Sequence, residues 1–446
     1  MDGSTPPGYV THGIFQSIRL ISILLMEKDF YHEIQILEMS KMITVLDTYK
    51  KSDQSFLRMY NKSKVLNILR NQGSMSRVDL AGVSKLDKKT ITNIVNDLFE
   101  ENQIYVEHTS REGSGRPKEI LSLNGDFCRC IGIDLGGTHI SGVILDFAGK
   151  ILAEENIETR STLDKDVMLD MCDFVIKQLL KKTGLAISDI NAMGLSIPGN
   201  ADQSTGVVVY AENTPKWIGM PMKQIFEEKY NIPIYIEDCS RLMAMAELCY
   251  GKGRDCDNFI VIDLGHGIGC GIIVGRELFF GASGKAGEIG HTIVKVDGPL
   301  CTCGRNGCIE SLASGWAISR MAKDVSDANE NSILRKISKQ GEEPNNQDVI
   351  IAAEMGDENC IRILREAGTY IGIGIANAVS FFNPAKIIIG GRLIRNNEIL
   401  LNELVKTVKI KTLQQLYSED LITVSEIGVF ASAMGAATLC LNQYYN

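Results

Sequence analysis

Four metal-ligating side chains fall close together in the chain. His291, Cys301, Cys303 and Cys308 are separated by ten, two and five positions. One imidazole and three thiolates make a closed tetrahedral set, the kind a structural zinc ion takes. Gly304 and Gly307 let the loop curl so that three sulfurs can converge on one ion. The competing reading is a group of buried free cysteines with no metal. Glu288 and Glu310 flank the set. With the loop held by zinc, both carboxylates and the second nitrogen of His291 are directed at a common space. Fixed acceptors and donors of this kind suit a hydroxyl-rich ligand such as a sugar.

Three glycine turns carry a second kind of chemistry. Asp134, Gly136, Gly137 and Thr138 form a turn between two apolar stretches, CIGIDL and HISGVILD. Its backbone amides can approach phosphates closely. No Lys-Ser/Thr follows, so it is not a Walker loop. The pattern recurs after Asp263, with Gly265, Gly267 and Gly269, and a glycine pair, Gly390-Gly391, ends a third apolar strand. Each alone is also an ordinary glycine hairpin. Asp238 closes the short strand YIED, where a catalytic carboxylate of an α/β site is expected. A helix N-cap is the plain alternative for it.

The elements around these residues fall into two groups. Ahead of residue 125, Ser76 can cap a helix SRVDLAGVS in a capping box with Asp79, and Asp87 can cap a third helix, KKTITNIVNDLFEE. On the latter, Ile91, Ile94, Val95 and Leu98 share an inward face. Lys88, Lys89, Thr90, Thr92 and Asn93 remain outside, side chains that bond to phosphates and base edges. Strands at 104–109 and 119–123 enclose a basic loop with Arg111, Arg116 and Lys118, able to follow a DNA backbone or enter a minor groove. Arg77, Lys88, Lys89, Thr90, Thr92, Asn93, Arg116 and Lys118 are the candidate DNA contacts. Residues 62–124 hold ten Lys or Arg against eight Asp or Glu. Affinity would rest on placement and dimerisation, not bulk charge. A three-helix protein-interaction module is the other reading of this part.

The run at 287–310, the SGRPK loop, DLGGT and DLGHGIG together resemble the ROK family of sugar kinases and sugar-responsive repressors. The resemblance covers residues from about 55 to the end. It implies an α/β chain: an N-terminal winged helix-turn-helix over 55–125, then a two-lobed actin-like ATPase (ribonuclease-H-like) sugar-kinase fold over 126–446. It implies zinc on His291, Cys301, Cys303 and Cys308. It implies sugar contacts from Asn213, Asp238, Glu288, His291 and Glu310, and phosphate contacts from the glycine turns. In a kinase, Asp238 would be the general base, with ATP and Mg2+ as cofactors. Kinases of the family have Asn-Asp-Ala-Asn where this chain has Glu237-Asp238-Cys239-Ser240. Glu237 is expected to raise the pKa of Asp238 by like-charge repulsion and to alter hydroxyl recognition.

Composition agrees with this frame. The 446 residues leave room for more than one domain, and 44% hydrophobic with 23% charged residues is ordinary for a globular protein. A net charge of −9 excludes a protein that coats nucleic acid non-specifically, though not a small DNA-binding module on an acidic body. Twelve cysteines at irregular spacing fit a reducing cytoplasm. Residues 14–26 are too short to span a bilayer and contain Arg19, so no membrane partner is expected. Residues 1–54 read as an extension of unassigned role, either an extra amphipathic helix or sequence upstream of a start at Met42. The expectation is a homodimeric or higher oligomeric sugar-responsive repressor on a palindromic operator, with xylose or glucose as effector. An ATP-dependent hexose kinase with an appended DNA-binding domain is the alternative.

Overall fold

The computed structural model describes residues 55–110, 117–159, 164–202, 204–211, 214–328, 332–338 and 343–445. Contacts divide the chain into Met1–Lys62 and Ser63–Asn446. In the first unit only 55–62 is described, as helix, so the extension at 1–54 lies outside the described residues.

The second unit starts with helix α1 (63–72), strand β1 (Met75–Ser76), α2 (Arg77–Ser84) and α3 (Lys88–Glu100). Both expected caps form. Ser76 and Asp79 make the capping box, and Asp87 accepts from the backbone N–H groups of Lys89 and Thr90. Strands β2 (Ile104–Ser110) and β3 (Lys118–Leu123) form the hairpin, and β1, which sequence reading missed, pairs with β3. Ile91, Ile94, Val95 and Leu98 are buried, and Lys88, Lys89, Thr92 and Asn93 are exposed, as the helical period requires.

The body carries two five-stranded sheets. The first contains β4 (Arg129–Leu135), β5 (His139–Asp146), β6 (Ile151–Glu158), β7 (Ala192–Ile197) and β10 (Ile234–Asp238), in the order β10-β7-β4-β5-β6. A two-stranded ribbon of β8 (Asn200–Ala201) and β9 (Val208–Tyr210) stands beside it. The second sheet contains β11 (Phe259–Leu264), β12 (Ile268–Val274), β13 (Glu277–Leu278), β14 (Lys386–Gly390) and β15 (Ile422–Val424), in the order β13-β12-β11-β14-β15. Read outward from β4 and from β11, both sheets have two antiparallel partners on one side and two parallel partners on the other. The expected strand–turn–strand pairs, β4–β5 and β11–β12, occupy equivalent places in the two halves. Equivalence extends to the helices after the last strand of each sheet, α6 (Cys239–Tyr250) and α13 (Ala431–Tyr445), which pack on each other. Among the other helices, numbered in chain order, α4 (Lys165–Thr183) and α5 (Met222–Tyr230) pack on the first sheet. Helices α7 (Ile309–Ala313), α8 (Gly315–Ala328), α9 (Ile333–Ile337), α10 (Asn346–Glu354), α11 (Glu358–Phe382) and α12 (Glu398–Lys411) belong to the second half. Helix α11 begins at Glu358, where Asp357 caps it by accepting from the N–H groups of Asn359 and Cys360.

Helix α13 lies directly on the first sheet. A side chain at Gly132 would come within 1.9 Å of the Ala433 carbonyl, and one at Gly194 within 2.0 Å of the Ala436 carbonyl. Only hydrogen at both positions lets helix and strand backbones approach this closely. One hydrophobic core joins Val65, Leu66 and Leu69 of α1, Leu80 of α2 and Leu98 of α3 to Phe147, Cys440, Leu441 and Tyr445. The core therefore runs across residues 125–126. No helix among the described residues is long and apolar enough to cross a membrane.

Candidate functional site

The C-terminal ends of β4, β10 and β11, the turns that follow β4 and β11, and the starts of α6 and α13 surround a cavity of ≈ 190 Å³. Of the sequence candidates, Asp134, Gly136, Gly137, Thr138, Asp238, Gly265, Gly267, Gly269, Glu288, His291, Glu310 and Gly391 line it. Gly390 does not: it is buried in β14, paired with Asp263, where a side chain would meet the Met243 sulfur at 2.9 Å. Asn213 and Arg116 lie outside the described residues. Sequence reading passed over Arg392, His266, Tyr210, Cys239 and Ser432 as wall residues, and named Asp263 only as a marker of the second turn.

Asp238 ends β10 and is the N-cap of the helix that follows, α6. Its Oδ1 caps the helix, accepting from the N–H groups of Ser240 at 3.0 Å and Arg241 at 3.1 Å, and the residue faces the cavity. Burial raises its pKa to about 7, against the lowering effect of Arg241. The charges of Glu237 and Glu288 add to the rise as lesser causes. The expected like-charge effect of Glu237 is therefore secondary. Glu237 is tied down: its Oε1 accepts from Arg241 Nη1 at 2.6 Å and from the Asp238 N–H at 2.9 Å, with both side chains buried. Arg241 also donates to Asn200 Oδ1 at 3.2 Å. Glu237 does not line the cavity, so the expected change in hydroxyl recognition does not come from contact with it. An Arg four residues after Glu237, at the start of a helix, was the available signal.

Asp134 and Asp263 occupy equivalent ends of β4 and β11. Burial raises Asp134 to about 6, offset by the Ser196 hydroxyl, which donates to it at 2.6 Å, and by Arg392. Burial raises Asp263 to about 7, with the charge of Asp134 as the second cause. Glu310, at the start of α7, accepts from the Ile268 N–H at 2.8 Å and is buried. It thereby fixes the strand that leaves the second glycine turn.

The sulfur and imidazole set comes together. Cys301 Sγ lies 3.6 Å from His291 Nδ1, Cys303 and Cys308 sulfurs are 3.6 Å apart, and all four ligand atoms fall within 4.8 Å of one another. A tetrahedral ion with metal–sulfur bonds of about 2.3 Å has sulfur–sulfur edges of about 3.8 Å, so the set fits a metal ion. The loop needs Gly307: φ is +77°, and a side chain there would meet the Lys295 carbonyl at 1.6 Å. With Nδ1 on the metal side, His291 Nε2 lies 3.8 Å from Glu288 Oε2.

The DNA candidates are presented unevenly. Lys88, Lys89, Thr92, Asn93 and Lys118 are exposed. The Thr90 and Thr92 hydroxyls donate inward, to Asp87 at 2.5 Å and to the Lys88 carbonyl at 2.8 Å. Arg77 is half-buried, 3.7 Å from Glu119 and 3.5 Å from Asn96, so the fold already engages it inside the module.

Two equivalent lobes meeting at an acidic cavity bordered by glycine turns define an α/β sugar-kinase-like fold with mixed sheets. The chain belongs to the ROK family, whose model matches residues 130–443. It is 29% identical over 401 residues to the xylose repressor of Caldicellulosiruptor bescii, covering 87% of this chain and 97% of that protein. Among solved structures it is similar to a ROK family transcriptional regulator, a homologue of the E. coli MLC protein. The TM-score is 0.71 at 25% identity, covering 87% of this chain and 97% of that one. It is also similar to the ROK family glucokinase from Streptomyces griseus in complex with glucose and AMPPNP. That TM-score is 0.62 at 30% identity, covering 70% of this chain and 98% of that one.

Proposed function

We propose that this chain is a sugar-responsive DNA-binding transcriptional repressor of carbohydrate-utilisation genes, with xylose or glucose as effector. Helix α13 is the observation that carries the reading. Its first residues, Ala431 and Ser432, line the cavity, and Ser432 donates to the Cys239 carbonyl at 3.2 Å. Its last turn holds the N-terminal module. Arg70 of α1 donates to Asn442 Oδ1 at 2.7 Å and lies 4.3 Å from the centre of the Tyr445 ring. A change at the cavity thus has a rigid element on which to act.

In this reading residues 55–125 form a winged helix with α3 in the major groove. Lys88, Lys89, Thr92 and Asn93 reach the DNA there, and Lys118 and Arg116 do so from the wing. Two copies bind a palindromic operator. The regulator likeness covers more of the chain than the glucokinase likeness, which supports a role for the module. Asp238, Glu288, His291, Glu310 and Asn213 bind the sugar hydroxyls. Zinc on His291, Cys301, Cys303 and Cys308 holds the loop that presents Glu288 and His291. The sugar acts as a switch by binding one lobe arrangement better than the other.

The test is a gel shift on the chain's own promoter region with and without a sugar panel. Specific binding that one sugar alters is the expected outcome. One observation favours a hexose kinase as second reading: Asp238, with its pKa near 7, is matched to general-base work at neutral pH. In that case Asp134, Asp263 and the glycine turns would hold Mg2+ and ATP, which supply the phosphoryl group. Absence of specific DNA binding together with ATP turnover on a hexose would put the kinase first.

A further inference from the structure

Arg392 is a cavity residue with an unusual position. Gly391, just before it, has φ of +94°, and a side chain there would meet the Leu264 carbonyl at 2.3 Å and Asp263 Oδ1 at 2.6 Å. The backbone is thus pressed against Asp263 in the second lobe. Arg392 then reaches into the first lobe. Its Nη2 donates to Asn156 Oδ1 at 2.7 Å and to Ser141 Oγ at 3.3 Å. Ser141 is the register partner of Asp134 on β5, and Asn156 is the partner of Ser141 on β6. The guanidinium therefore bridges the two sheets at the cavity that both turn aspartates line, and its charge acts on both.

We propose that Arg392 is a built-in cation that takes the place of magnesium and phosphate between the glycine turns, so that the cleft admits a neutral sugar and excludes a magnesium–nucleoside triphosphate complex. A hard divalent ion at this point needs the carboxylate oxygens of Asp134 and Asp263. A guanidinium held on the register partner of Asp134, in the same cavity as both carboxylates, repels that ion. Volume agrees: the cavity of ≈ 190 Å³ is below the roughly 300–1,000 Å³ of pockets for drug-sized ligands. The bridge also ties the lobes together where a triphosphate would have to enter.

The proposal rests on the cavity being the sugar site, and the test separates the two. Full-length wild type, Arg392→Gly and Arg392→Gln are titrated calorimetrically with MgATP and, separately, with D-xylose and D-glucose. Arg392→Gly should bind MgATP about tenfold or more tighter than wild type, the scale of removing a like charge from a metal–phosphate site. Arg392→Gln keeps an amide donor for Asn156 and Ser141 without the charge, and should gain part of that increase. It also serves if the glycine variant does not fold. Equal MgATP binding across the three proteins overturns the proposal. So does tighter binding by wild type, which would make Arg392 a phosphate ligand. Failure of wild type to bind any tested sugar would count against the sugar-site reading, while the MgATP comparison would still decide the role of Arg392.

Discussion

Asp238 shows how one carboxyl serves two purposes at the residue scale. It caps α6 and faces the cavity, and burial keeps its pKa near 7. The folded pKa lies above the ordinary carboxylate value, so the native state holds the proton more tightly. The stability this confers is complete below about pH 4 and is lost as pH rises through about 7. Asp134 and Asp263 act in the same direction. Urea unfolding should therefore show stability falling between about pH 4 and 7, by at most about 1.4 kcal/mol per pH unit for each such acid. Asp238→Asn keeps the cap and should reduce that slope; an unchanged slope would show that Asp238 does not titrate there. The same variant should lack any kinase activity while binding operator in the absence of sugar. Cys303→Ser should lower bound zinc from about one ion per chain to near zero by elemental analysis. Full retention of metal in that variant would remove the zinc assignment.

Among the elements, α13 does the most to join site and module. Its closeness to the first sheet is set by Gly132 and Gly194, where the clashing atoms would be backbone and cannot swing aside. Gly132→Ala should cost about 3 kcal/mol, the upper end of overpacking effects, as read by chemical denaturation. A loss under about 0.5 kcal/mol would mean that the helix can shift easily. At the far end, Arg70→Met keeps apolar bulk but removes the hydrogen bonds to Asn442 and Asn67 and the contact with Tyr445. Stability should fall by about 1–3 kcal/mol. Sugar affinity should stay within about twofold, since Arg70 is not a cavity residue. The effect of sugar on operator binding should shrink. If the sugar response persisted in full, coupling would run by another route.

For the whole molecule, the duplicated sheet order places equivalent acids, Asp134 and Asp263, at one cavity and equivalent helices, α6 and α13, behind it. Under the proposed repressor reading, movement of one lobe on the other would act on α13, which lines the cavity and holds Arg70 of α1. The gel shift is the measurement at this scale: one sugar from the panel should change operator affinity, and none should do so if the lobes and module are independent.

Local features were legible in the sequence because their physics is local. The caps at Ser76 and Asp87 depend on side chains two or three residues from their partners. The inward face of α3 follows from helical period, the glycine turns from backbone sterics, and the His/Cys cluster from the spacing of its residues. Other features depend on partners distant in sequence, and only the tertiary structure decided them. Arg392 meets Ser141 and Asn156 more than 230 positions away. Arg70 meets Asn442 across 372. Glu237, read as a free charge beside Asp238, is neutralised by Arg241 because β10 ends and α6 begins between them. Residue type and spacing determined which chemistry this chain can do. Chain crossings in the fold decided which charges meet, since a charge's effect depends on what is buried beside it.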